Sequence, residues 1–208
     1  LPEPKKVIQR SIFGDVGSCI IGVVARNQTR KDLVRSLEIY RGFFNMYRDA
    51  RLYMHTEIQS PMGTNLQKVI ADFNIQNVTL RPPELRYISD ERMCELYNAF
   101  DILLVTSIGE GLCYPIIEAQ LCGVPVVGAD NTSITELLDD GKGFLIPMTD
   151  EKIFLPILEF NNGVNEPRRR CDIAKGIELL NDAYGGYETD SIIEKARENA
   201  LTYTENPN

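Results

Sequence analysis

Residues 102–127, I-L-L-V-T-S-I-G-E-G-L-C-Y-P-I-I-E-A-Q-L-C-G-V-P-V-V, constrain the fold more than any other stretch. Ile102, Leu103, Leu104 and Val105 form a short apolar run that fits a strand buried on both faces, and residues 124–127 repeat the pattern. Between them Gly109 and Gly111 allow a sharp turn, and Pro115 fits the first turn of a helix, where its missing N–H is no loss. Gly123 is placed to end that helix. Strand, tight loop, helix, turn, strand is the repeating unit of a parallel sheet. Counting comparable alternations along the chain predicts an α/β fold. It is a single Rossmann-like domain of about six parallel strands with helices on both faces and a helical C-terminal segment.

The loop inside this unit carries chemistry. The amides of Leu112, Cys113 and Tyr114 would open a helix without internal partners, and orphan donors at a helix N-terminus favour anions. Glu110 precedes that helix and Glu118 lies on it, so the two carboxylates can flank a ligand whose phosphates lie between them. A carboxylate repels phosphate, so each suits hydroxyls, of a ribose diol or of a sugar. The plainer alternative is that Glu110 starts a helix and Glu118 is a solvated helix residue. Spacing alone leaves both open.

Elsewhere the same alternation continues. Residues 19–25 read as a buried strand, followed by a helix with Leu33, Leu37, Ile39, Tyr40, Phe43 and Phe44 at helical spacing. Arg26 lies at the carboxyl end of that strand and Lys31 at the helix start, the edge at which open α/β sheets bind ligands. Arg30 reads as part of a generally charged loop. Residues 51–55 make a second strand, and His55, the only histidine, has nothing nearby in sequence to orient it, so it reads as structural or surface. Residues 78–80 are a third strand. Ser89 or Asp90 can cap the next helix, and residues 144–146 form a further strand. Residues 1–17, punctuated by Pro2, Pro4, Gly14 and Gly17, read as a linker, with the domain running over residues 18–208. From Thr149 onward the composition is helical and charged, Arg168, Arg169 and Arg170 reading as a solvated basic face and Gly185-Gly186 as a break between helices.

Charge and cysteine usage narrow the partners. A net charge of −8 and a pI near 4.8 argue against nucleic acid, whose phosphates need a basic surface. No run of 18 or more apolar residues reads as a membrane span. The five cysteines lack C-x-x-C spacing, which favours reduced thiols and a cytoplasmic setting. Cys113, at a helix N-terminus, is expected to be the most reactive of the five.

E-G-x-x-x-x-x-x-E-A from Glu110, followed by C-G-V-P-V-V, resembles the E-x7-E signature of retaining glycosyltransferases with the B-type fold, most closely glycosyltransferase family 4. The resemblance covers roughly residues 19–147 and implies a function: the donor-binding domain of an enzyme that moves a sugar from a nucleotide diphosphate sugar to an acceptor. On the family's pattern Arg26 and Lys31, five apart, neutralise the donor diphosphate; Glu110 holds sugar hydroxyls and Glu118 the ribose diol. Gly111 and the amides of Leu112, Cys113 and Tyr114 complete the donor site, and Arg86 and Tyr87 are candidates beside the base. The family needs no metal and no cofactor beyond the nucleotide sugar substrate. Its usual glycine pair is absent from the loop at residues 128–133, which leaves the contacts of Asn131, Thr132 and Ser133 open. A complete family enzyme also carries an N-terminal acceptor-binding domain, expected to lie outside this chain. Any peripheral membrane association would run through that domain, and the isolated chain is expected to bind donor with little or no transfer. The alternatives are a non-catalytic nucleotide-sugar-binding module, or a B-type-fold sugar-nucleotide epimerase.

Overall fold

The computed structural model describes residues 4–14, 19–77, 79–80, 88–154, 167–186 and 189–205. Six parallel strands form the central sheet: β1 (Ile20–Val24), β2 (Arg51–His55), β3 (Thr79–Leu80), β4 (Ile102–Val105), β5 (Val126–Ala129) and β6 (Phe144–Ile146). Their order in the sheet is β3-β2-β1-β4-β5-β6. The chain winds outward from β1 through β2 and β3, then returns to the other side of β1 with β4. The carboxyl ends of β1 and β4 therefore flank a topological switch point, where the departing loops diverge and leave a crevice. The predicted strands match these closely, except that β5 is shifted towards Ala129 and Val78 lies outside the described residues.

Helices cover both faces. On one side α2 (Leu33–Met46), α3 (Leu66–Asp72) and α7 (Ile173–Gly185) pack Leu37, Ile39, Phe43, Leu66 and Leu180 against Ile21, Leu52 and Leu104. On the other, α4 (Asp90–Asn98), α5 (Tyr114–Leu121), α6 (Thr132–Leu138) and α8 (Thr189–Glu205) bury Tyr97, Ile116, Ile134 and Ala200 against Ile20, Leu103 and Val126. Neighbouring strand residues thus feed opposite cores, and each fully buried large apolar side chain contributes about 1.5–3 kcal/mol. Ser89 caps α4 through the Arg92 amide. Gly123 leaves α5 at φ 69° and Gly186 leaves α7 at φ 73°, left-handed turns that glycine adopts without strain.

Two regions differ from the sequence reading. Residues within the expected linker form helix α1 (Pro4–Phe13), which docks on the domain. The Gln9 side-chain amide donates to the Ala99 carbonyl and to Asp101, both at 2.9 Å, and the Phe13 ring lies 5.1 Å from Tyr53. The prolines and glycines mask an apolar face that includes Ile8, Ile12 and Phe13. After β6 the expected helical stretch begins instead as an antiparallel pair, β7 (Met148–Phe154) with β8 (Pro167–Cys171); residues 155–166 lie outside the described ones. The arginine triplet lies on β8, where alternation along the strand leaves Arg169 exposed and turns Arg168 and Arg170 half inward.

Candidate functional site

A cleft of about 470 Å³ opens at the carboxyl edge of the sheet, lined by Arg26, Gln28, Arg30 and Lys31 from the loop after β1. His55 at the end of β2, Thr56 and Glu57 just after it, and Pro115 at the start of α5 line it too. The loop after β1 is anchored from below. Asn27 is 2% exposed; its amide nitrogen donates to the Thr64 and Glu57 carbonyls (2.7 and 3.0 Å) and its Oδ1 accepts the Thr64 amide (3.0 Å). Gly63 lets the two loops approach this closely, because a Cβ there would come within 2.0 Å of Asn27 Oδ1. A short 3-10 turn (Thr29–Lys31) then presents Arg30 and Lys31.

Those two cations meet Glu110. Arg30 Nη1 donates to Glu110 Oε2 at 2.8 Å, and Lys31 Nζ pairs with Oε1. The Glu110 side chain is 5% exposed and that of Lys31 12% exposed. Burial raises the Glu110 pKa, but the Lys31 bond and charge, with the Ser107 and Arg30 bonds, outweigh it and hold the carboxyl below the ordinary range. The Ile108 amide also donates to the Arg30 carbonyl at 2.9 Å, so the loops after β1 and β4 are joined through backbone as well as side chains. Arg26 is exposed on the cleft wall and forms no ion pair among the described residues.

The loop after β4 is held in turn by residues 131–133. The Thr132 hydroxyl accepts the Glu110 amide at 3.0 Å, the Ser133 hydroxyl donates to the Glu110 carbonyl at 3.3 Å, and the Asn131 side-chain amide donates to the Ser107 carbonyl at 2.8 Å. Thr132 does this from φ 47°, a left-handed conformation unfavourable for a β-branched residue. Gly109 and Gly111 lie in the bent loop without using left-handed backbone. A Cβ at either would meet nothing within 4 Å, so what they provide is open space. Helix α5 begins as expected, with Cys113 at its N-cap and Pro115 in its first turn. Leu112 and Tyr114 are exposed, 39% and 63%.

Glu118 stands apart from Glu110. It accepts a hydrogen bond of 2.5 Å from the Tyr97 hydroxyl of α4 and does not line the cleft around Lys31. Arg86 and Tyr87 lie outside the described residues. The expectation for Cys113 is overturned: the thiol is 2% exposed, and burial, followed by the Glu110 charge, pushes its pKa up to about 12. Packing beneath the helix start outweighs the helix field. Cys94 is the exposed thiol, its Sγ 3.9 Å from that of Cys122.

Three features escaped the sequence. Arg30, which reads in sequence as general charge, pairs with Glu110. His55 lines the cleft, its pKa lowered by burial against the opposing pull of Glu57, with Nδ1 3.3 Å from the Tyr53 hydroxyl. Thr56 lines it too, 2% exposed and with no partner for its hydroxyl among the described residues. Only the location of all three at the carboxyl edge of the sheet, in or beside the segments after β1 and β2, could have pointed to them.

The comparisons agree with this architecture. A D-inositol 3-phosphate glycosyltransferase of Mycobacteroides abscessus is 38% identical over 86 residues, 40% of this chain and 18% of that protein. Its counterpart from Rhodococcus erythropolis is 29% identical over 128 residues, 61% of this chain and 28% of that protein. The chain thus spans less than a third of the length of these curated relatives. Among solved structures, the C-terminal domain of a glycosyl transferase group 1 family protein from Francisella tularensis superposes with a TM-score of 0.70. It is 16% identical, and the match covers 93% of this chain and 90% of that one. Residues 20–156, more than half of the chain, match the family described as Glycosyl transferases group 1, and the chain belongs to that family.

Proposed function

We propose that this chain is the donor-binding domain of a retaining glycosyltransferase, holding a nucleotide diphosphate sugar while a second, N-terminal domain presents the acceptor. The single observation that carries the reading is the contact of Lys31 with Glu110 at the sheet's switch point, with Arg26 on the same cleft wall. In that arrangement Lys31 and Arg26 offset the charge that builds on the departing diphosphate, which is stabilisation aimed at where charge develops. The amides of Leu112, Cys113 and Tyr114 add donors from the α5 N-terminus.

Glu110, paired with Arg30 and Lys31, holds sugar hydroxyls once the diphosphate takes over the cations. The open space above Gly109 and Gly111 leaves room for the sugar ring beside it. Glu118 serves the ribose diol, and Arg86 and Tyr87 are the candidates to contact the base. No step of this scheme calls on a metal. The need for an acceptor-binding domain is supported by the small share of its relatives that this chain spans. The isolated chain therefore binds donor and transfers little.

Calorimetric titration with uridine, guanosine and adenosine diphosphates tests the reading. One of the three is expected to bind, with the matching nucleoside much weaker. Failure of all three would remove the donor-site assignment, and the full-length enzyme yielding a product of inverted anomeric configuration would remove the retaining one.

A further inference from the structure

Asp32 follows Lys31 at the point where the 3-10 turn gives way to α2. Its φ and ψ are 46° and 47°, a conformation L residues rarely adopt. Its amide closes the turn on the Thr29 carbonyl (3.1 Å), and its carbonyl accepts the Arg35 amide that opens α2 (2.9 Å). The Thr106 hydroxyl, at the exit of β4, donates to that same carbonyl at 2.9 Å. The direction in which Lys31 leaves the turn is therefore set at Asp32.

The Asp32 side chain is gripped from a distant part of the chain. Arg170, on β8, donates from Nε to Oδ2 and from Nη2 to Oδ1, both at 2.7 Å, a two-pronged pair whose planar fork fixes orientation as well as distance. The Asp32 side chain is 3% exposed and that of Arg170 14% exposed, so water screens this pair weakly. Arg170 Nη1 also reaches Glu151 on β7 (2.8 Å), and Arg35 pairs with Glu151 and with Glu38 (3.3 Å). Two arginines and three carboxylates thus lock the β7–β8 hairpin onto the turn bearing Lys31.

We propose that Arg170 is a positioning residue for the diphosphate site, acting on Lys31 through Asp32. The inference rests on the donor-site reading above, and it makes the β7–β8 pair part of the binding apparatus rather than surface decoration. A purely structural Arg170 would weaken all ligands together. A positioning one affects the ligand group that Lys31 touches.

The test compares nucleoside diphosphate with the matching monophosphate, uridine, guanosine and adenosine series run in parallel, on wild type, Arg170→Gln, Arg170→Lys and Arg169→Gln. Thermal unfolding of each variant checks that it is folded. Arg170→Gln is expected to weaken diphosphate binding about tenfold, the size of one charge-assisted hydrogen bond set wrongly, with monophosphate affinity unchanged. Arg170→Lys, which keeps the charge but cannot span both carboxylate oxygens, loses less, and the exposed Arg169→Gln matches wild type. If Arg170→Gln does not fold, Arg170→Lys is read by the same criterion. Equal weakening of both ligands, or no change in either, overturns the positioning role and leaves the donor site standing. A wild type that binds no diphosphate overturns both.

Discussion

The loops after β1 and β4 meet at one edge of the sheet, yet they are fastened in different ways. The loop after β1 is tied by buried groups: Asn27 and Thr106 are 2% exposed and Asp32 is 4% exposed. The loop after β4 is tied by Thr132, which is exposed, and by Ser133 and Asn131, which are half-buried. A hydrogen bond in a dry environment is costly to leave unmade, whereas one at the surface exchanges with water at little loss. The cations are thus held by a rigid mount and the Glu110 backbone by a softer one. That asymmetry suits the proposed site, in which a diphosphate would find fixed positive charge while the carboxylate gives way.

The largest expected effect falls on the rigid side. Replacing Arg26 and Lys31 together by Ala removes two charge-assisted contacts and should weaken nucleoside diphosphate binding about a thousandfold. Calorimetry reads this directly, and equal losses from the same double change and from one at Lys142, remote from the cleft, would break the comparison. On the other side, Glu118→Gln should cost about tenfold, because one neutral acceptor remains for the ribose and Tyr97 keeps a partner. Loss as large as that of the double variant would put Glu118 among the principal contacts.

How much of this was readable in the residues follows from which forces are local. The six strands were legible because β1, β4 and β5 are apolar runs buried on both faces, and the pairing of Arg26, Lys31 and Glu110 with one edge follows from strand order. The β7–β8 pair was not legible. The charges of Glu151 and Arg170 suggest a solvated helix, and only their pairing with Arg35 and Asp32, more than a hundred residues away, gives them partners. Cys113 failed for the same reason: its helix-start position is written in the sequence, but the packing that buries it is not. Helix α1 was concealed by Pro2, Pro4 and Gly14, and its anchor, Gln9 on Asp101, spans 92 positions.

Smaller effects sharpen the contrast between the two mounts. Glu110→Gln should cost about 2 kcal/mol of stability at pH 7, since it strips the charge facing Lys31 and Arg30. The native carboxyl titrates below its unfolded value, so its contribution is present above the ordinary Glu range and disappears as pH falls through the depressed native pKa. Denaturant unfolding of both proteins should therefore converge in strong acid; a difference that persists there contradicts the ion-pair account. Thr132→Ala should lose about 1 kcal/mol, the hydroxyl bond to the Glu110 amide going while the left-handed strain remains. Thr132→Gly relieves that strain and should be nearly neutral by thermal unfolding. Least in energy is the thiol prediction: Cys94 should alkylate first and Cys113 last or nearly so, read by mass spectrometry of timed labelling.

One titration bears most directly on the shared crevice: wild type and Lys31→Glu side by side against whichever nucleoside diphosphate binds, repeated at low and high salt. A buried cation serving the diphosphate predicts about a hundredfold loss on charge reversal, with the wild-type affinity falling only modestly with salt. Unchanged affinity in Lys31→Glu would contradict the account, because the loops after β1 and β4 would then meet without forming a phosphate site.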